Sequence, residues 1–161
     1  MMFHLVAVGR LTSADLQSVC DAYTRRIRRY TQFSIHELRG SRATRDTTAV
    51  LETERTQILS AVEPIPTSVL LTRDGSQHSS GELSERLRVW RERARDVAFV
   101  LGGAFGVHPD VREACAEAIS LSRMTLPHDL ARLILLEQLY RGFSILRGEP
   151  YHKGERRQFT R

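Results

Sequence analysis

Val97-Ala98-Phe99-Val100-Leu101-Gly102-Gly103-Ala104-Phe105-Gly106 is the stretch that decides the fold of this chain. Five consecutive apolar residues end abruptly at glycine, too short a run for a helix and too continuous for a half-exposed strand. It reads as a strand buried on both faces, the pattern of a parallel sheet covered by helices. Downstream, Pro109 fits the first turn of a short helix, where its missing N–H costs nothing. A fifth strand or strand-loop is expected over Ile119 to Leu126, stopped by Pro127-His128. A long helix then starts at Asp129 or Leu130 and ends at Arg147, closed by Gly148.

The same alternation extends upstream. Phe3 to Val8 reads as the first strand, and Leu16, Val19, Cys20, Tyr23 and Ile27 give the helical spacing that follows, with Thr12 or Ser13 as its cap. Phe33 to Leu38 is the second strand. Arg39 to Thr48 reads as an exposed loop, and a helix from about Ala49 stops at Pro64 and Pro66. Val69 to Thr72 is a short third strand with Asp74-Gly75 turning the chain, and Ser79 with Glu82 forms a capping box for the next helix. Five strand-then-helix units predict an α/β domain with a mostly parallel sheet flanked by helices. In such sheets ligands bind beyond the C-terminal ends of the strands. The loops after Leu71, after Leu101 and over Leu121 to Leu126 are therefore the candidates.

The chain has 161 residues, 41% hydrophobic and 27% charged, the balance of an ordinary soluble domain. One domain over residues 1–153 is expected, with a basic tail over 154–161. No apolar run approaches the ~20 residues of a membrane span, and Met1 to Val6 lacks a signal peptide's basic start, so the expected location is the cytoplasm. Cys20 and Cys115 have no metal-ligand or C-x-x-C spacing and read as packed free thiols. No metal is called for by His4, His36, His78, His108 or His128 either. A net charge of +5 leans toward a polyanionic partner. Nearly all of that charge is arginine, since lysine occurs only at Lys153. The densest groups are Arg25, Arg26, Arg28 and Arg29 on the first helix and Arg86, Arg88, Arg91, Arg93 and Arg95 near the third.

Three segments carry chemistry. Gly102, Gly103 and Gly106 permit close backbone approach to a ligand or a tight structural turn, in a spacing that is neither a dinucleotide fingerprint nor a P-loop. Leu121-Ser122-Arg123-Met124-Thr125-Leu126 could wrap an adenine ring with apolar side chains and main-chain amides, or form an edge strand. On the last helix, Leu130, Leu133, Ile134, Leu135, Leu136, Leu139, Tyr140 and Phe143 are apolar on more than one face, which points to a second subunit. Glu137 and Arg141 are four apart there and can pair. Finally, Tyr151-His152-Lys153 combines a stacking ring, a neutral-pH proton carrier and a phosphate-neutralising cation.

From Val97 to Lys153 the sequence resembles the ribosomal large-subunit pseudouridine N3-methyltransferases, a minimal branch of the knotted SPOUT methyltransferases. The matching residues are Gly102-Gly103 with Gly106, Leu121 through His128, and Arg132. They continue through Glu137-Gln138-Leu139-Tyr140-Arg141, Arg147-Gly148-Glu149 and Tyr151-His152-Lys153. Weaker matches are Val6-Ala7-Val8-Gly9, Tyr23 with Arg26, and Leu71 followed by Gly75. The resemblance implies an α/β knot with a deep C-terminal trefoil knot, S-adenosylmethionine as methyl donor, and a homodimer that shares its site. It implies Leu71, Gly103, Leu121, Ser122, Arg123, Met124, Thr125 and Leu126 as donor-binding residues. It implies Tyr151, His152 and Lys153 at the target nucleotide, a pseudouridine of large-subunit rRNA within the assembled ribosome. Two departures stand out: Ala104-Phe105 where many relatives carry a small polar or acidic residue, and the eight residues after Lys153.

The expected chemistry is in-line transfer of the sulfonium methyl to N3. His152, or water held by Glu137 and His152, takes the proton, while Arg141 and Lys153 stabilise charge on the base or anchor phosphate. Two alternatives stay open on sequence: a knotted tRNA methyltransferase, and an RNA- or ribosome-binding module with no donor.

Overall fold

In a computed structural model the described residues, 1–40 and 46–150, build one parallel sheet with helices on both faces. The elements are β1 (Met2–Val8), α1 (Ala14–Ile27), β2 (Gln32–Leu38), α2 (Thr47–Val62), β3 (Thr67–Gln77), α3 (Ser80–Glu92), β4 (Val97–Leu101), α4 (Pro109–Ala114), β5 (Glu117–Ser120) and α5 (His128–Leu146). The strand order is β2-β1-β4-β3-β5, and every pairing is parallel.

Period-two alternation divides the core. Phe3, Leu5 and Ala7 of β1, with Val97, Phe99 and Leu101 of β4, face the layer of α1, α3 and α5. Val6, Val8, Ala98 and Val100 face the layer of α2 and α4 through Ile58, Val62 and Val111. On the first face α5 packs against both α1 and α3. Phe3 sits edge-on to Phe143 at 5.4 Å, and Trp90 edge-on to Phe99 at 5.7 Å. Cys20 and Cys115 are buried free thiols.

Helix starts follow the capping residues. Ser13 caps α1, Asp46 caps α2, and Ser79 with Glu82 closes the capping box of α3. His108 caps α4 with Pro109 in its first turn. The start of α5 differs from expectation: it begins at His128, with Pro127 at the cap position. Of the loop expected over Arg39 to Thr48, residues 41–45 lie outside the described residues.

Two further differences shape the site. β5 ends at Ser120, so residues 121–127 are loop and not strand. β3 is longer than expected, and Asp74-Gly75 lies within it. Ile119 is the register partner of both Leu71 and Ser76, so residues 72–75 arch out and the strand resumes. A Cβ at Gly75 would lie 2.5 Å from the Ile119 carbonyl carbon, so only glycine lets these backbones pass so closely.

Candidate methyl-donor site

At the C-terminal ends of β3 and β4 and in the loop after β5 lies a cavity of about 750 Å³. Its walls come from Leu71 and the arch residues Thr72, Arg73 and Asp74 of β3, and from Leu101, Gly102, Gly103, Ala104, Gly106 and Val107 at and after the end of β4. Leu121, Ser122, Met124, Thr125 and Leu126 form a third wall, and Pro127, His128 and Ala131 close it at the start of α5. The volume is in the range of sites for drug-sized ligands.

The β4 wall is bare backbone. Gly106 has φ +85° and its N–H reaches the Gly103 carbonyl at 3.2 Å, making a tight turn. A Cβ at Gly102 would lie 2.4 Å from Val107 Cγ1, and one at Gly103 would lie 2.5 Å from the carboxylate of Glu54, buried on α2. The third wall is braced by its own serines. Ser120 Oγ donates to the Ser122 carbonyl at 3.0 Å, and the Met124 N–H donates to Ser122 Oγ at 3.0 Å. Beyond the Ser122 carbonyl and the Met124 N–H, which those serines engage, the main chain of 122–126 has no backbone partner among the described residues, which leaves groups for a ligand. Met124 is 78% exposed, an apolar side chain left uncovered beside the cavity. Unspent amides beside leucines and a methionine suit a flat heteroaromatic ring with polar edges.

The start of α5 is locked in place. Asp129 Oδ2 accepts from the Thr12 N–H at 3.2 Å and the Thr12 hydroxyl at 2.9 Å. Partial burial pushes this carboxyl upward, but the Thr12 bonds and His128 together hold it below its ordinary value. His128 is pushed down by burial and by nearby Arg132, with Asp129 opposing. Arg132, 1% exposed, donates to the Gly9 carbonyl at 2.8 Å and pairs with Glu37 at the end of β2.

Of the residues expected to hold a donor, Leu71, Gly103, Leu121, Ser122, Met124, Thr125 and Leu126 line the cavity together. Arg123 is exposed and lies outside that lining. Glu137 and Arg141 pair with each other, Arg141 Nη2 to Glu137 Oε1 at 2.6 Å, but do not border the cavity. They lie nine and thirteen residues along α5 from His128, about 14 and 20 Å at helical rise. Tyr151, His152 and Lys153 lie outside the described residues. The sequence marked the loop after Leu71 as a candidate without naming Arg73 or Asp74, whose place depends on the arch, and it missed Ala131 in the first turn of α5. His128 was visible in the motif but had no assigned place. Among the described residues no cluster of His, Cys, Asp and Glu is placed to hold a metal, and no helix is long and apolar enough to cross a membrane.

Comparison with known proteins agrees with this architecture. A family model described as "Predicted SPOUT methyltransferase" matches residues 1–152. A ribosomal RNA large subunit methyltransferase H from Anaeromyxobacter dehalogenans is 41% identical over 153 residues, 95% of this chain and 100% of the relative. A protein of the same name from Nitrosomonas eutropha is 38% identical over 95% of this chain and 99% of its own. One from Bacillus pumilus is 35% identical over 95% of this chain and 100% of its own. Among solved structures, a methylase family protein from Haemophilus influenzae superposes with a TM-score of 0.57 at 11% identity, covering 93% of this chain and 69% of that one. One from Neisseria gonorrhoeae gives 0.51 at 13% identity, over 86% and 80%. These two share the fold. The chain belongs to the SPOUT methyltransferase family.

Proposed function

We propose that this protein transfers a methyl group from S-adenosylmethionine to N3 of a pseudouridine in large-subunit ribosomal RNA, acting in the cytoplasm on assembled ribosomes. The observation that carries the reading is the cavity walled by glycine backbone and by a 122–126 main chain without backbone partners, at the sheet's C-terminal edge. The names of its relatives supply the substrate class. Bound there, S-adenosylmethionine would supply an electrophilic methyl. Gly103 and residues 121–126 would hold its adenosyl part, with Leu71, Leu121 and Leu126 against the ring.

The reading includes a homodimeric site, and reach supports it. α5 runs from the cavity at His128 to Leu146, about 27 Å away. There Glu149 accepts a 2.5 Å hydrogen bond from Tyr30, at the far end of α1. His152 is three residues beyond Glu149, a reach of at most about 11 Å. On this reading His152 of one subunit serves the donor cavity of a second. Leu130, exposed, and Leu133 and Ile134, half-buried, leave apolar surface on α5 for that subunit. In the shared site His152 takes the N3 proton, Tyr151 stacks on the base, and Arg141 and Lys153 offset developing charge.

The test is methyl transfer from labelled S-adenosylmethionine to ribosomes from cells lacking the activity, beside free large-subunit rRNA and tRNA. Label at one rRNA pseudouridine in ribosomes is expected. Label in tRNA would move the protein to another branch. Donor binding with no transfer to any acceptor would reject the rRNA assignment.

A further inference from the structure

In a parallel sheet every strand delivers its following loop to one edge. Here that edge carries an arginine after three of the five strands, Arg39 after β2, Arg10 after β1 and Arg123 after β5, and a fourth, Arg73, in the arch of β3. The central strand β4 has glycines instead, and these wall the cavity. In spatial order the edge reads Arg39, Arg10, glycine turn, Arg73, Arg123. Across five strands at about 4.8 Å each, this row spans roughly 19 Å, with the cavity between its halves.

These cations are presented to solvent. Arg10 is 90% exposed and only 4.0 Å from a Glu37 oxygen, while the stronger partner of Glu37 is Arg132. Arg73 is 61% exposed, with Asp74 no nearer than 3.8 Å. Arg39 and Arg123 are exposed, and Gln57 bonds both main-chain groups of Arg39, fixing its base. Of the other neighbouring carboxylates, Asp129 holds Thr12 and Asp46 caps α2, and Asp74 stays in solvent.

The arginine-rich helices lie elsewhere. α1 runs back from the C-terminal edge of the sheet for 14 residues, about 21 Å, so Arg25 and Arg29 sit toward the opposite edge. α3 runs the same way, and two of its cations are offset, Arg88 by Glu85 and Glu92 and Arg86 by Glu117.

We infer that the row Arg39, Arg10, Arg73, Arg123 is the dock for the RNA phosphate backbone, and that the denser arginine groups of α1 and α3 are not. The inference rests on the rRNA reading above. An RNA strand laid along the row brings one nucleotide over the cavity mouth between Arg10 and Arg73, the place methyl transfer requires. Phosphate contacts fix register and orientation, and the cavity selects the base.

The test compares full-length variants of equal charge change: the rim variant R10Q/R39Q/R73Q/R123Q and the far-edge variant R25Q/R29Q/R91Q/R93Q. Affinity for large ribosomal subunits lacking the modification is measured against salt. Each lost phosphate contact lowers the log–log slope by ~0.7–0.9, so the rim variant should lose roughly 3 in slope and about ten- to a hundredfold in affinity. The far-edge variant should stay within about twofold of wild type, and equal loss in both would overturn the dock. R10Q/R39Q, whose residues do not border the cavity, should lose about half that slope and keep wild-type S-adenosylmethionine affinity in calorimetry. A parallel fall in donor affinity would also overturn it. Rim-dependent RNA binding by a wild type that binds no donor would leave the dock standing and reject the methyltransferase reading. Donor binding with rim-independent RNA affinity would do the reverse.

Discussion

Thr12 and Asp129 are 117 residues apart in sequence, and Asp129 Oδ2 accepts both the N–H and the hydroxyl of Thr12. The contact ties the loop after β1 to the first turn of α5. It therefore fixes the position of the preceding 121–127 loop, which forms one wall of the cavity. The carboxylate also lies at the positive end of the helix dipole.

Asp129→Ala should lower stability by about 1.5–3 kcal/mol, the range for hydrogen bonds to a charged group. Thr12→Val should have a smaller effect. In urea denaturation the double variant should fall short of the sum of the two singles; strict additivity would mean the residues do not interact.

Acid should weaken the fold in two steps. His128 is held below its ordinary value by burial and Arg132, and His4 by burial, with His36 adding to it and Asp96 opposing. Below the ordinary value of 6.5 the unfolded chain binds protons that the native chain refuses. The stabilisation is thus complete above that value and is lost as pH falls toward the depressed native values. Asp129, also depressed, adds a second loss below its ordinary 3.8. Urea midpoints should drop between about pH 8 and pH 5, and His128→Asn should flatten the drop. An unchanged slope in that variant would show that His128 does not contribute.

Gly75 and Gly106 should respond differently to alanine. At Gly75 the new Cβ meets Ile119 backbone at 2.5 Å, which cannot rotate away, so destabilisation should reach the upper end of ~1–3 kcal/mol. At Gly106 the space is open and only φ +85° is unfavourable, for about 1–2 kcal/mol. Thermal melts of both variants make the comparison, and a milder Gly75→Ala would mean the crossing is looser than described.

Arg132→Met should cost about 1.5–3 kcal/mol, because it leaves the Gly9 carbonyl and the partly solvated Glu37 without their charged donor. Adding Glu37→Gln should recover part of the loss. No recovery would indicate that the arginine acts through packing instead of charge.

Met124→Ala should leave stability within about 0.5 kcal/mol, since the side chain is largely exposed. If Met124 covers the donor, calorimetry should show S-adenosylmethionine affinity falling several-fold. An unchanged affinity would remove Met124 from the donor site.

Much of this was legible because local patterns report local physics. Alternation in Phe3 to Val8 and the apolar run Val97 to Leu101 state which faces are buried. Ser13, Ser79 with Glu82, and Pro109 mark helix starts through their own hydrogen bonds and fixed φ. Gly102-Gly103 and the 121–126 stretch announced two walls of the cavity.

The rest depended on where distant segments meet. Nothing local to Asp74-Gly75 distinguishes a turn from an arch, because the arch exists only through Ile119 pairing with both Leu71 and Ser76. Arg132 looks like any helix arginine until Gly9 and Glu37 arrive from the other end of the chain. The length of α5 separates the cavity at His128 from Glu137, Arg141 and the root of Tyr151-His152-Lys153. The sequence by itself determined which elements form and which loops wall the cavity, since burial periodicity and capping act over a few residues. Only the tertiary structure decided how far the cavity stands from Glu137 and Arg141, because that distance belongs to the path of the whole chain.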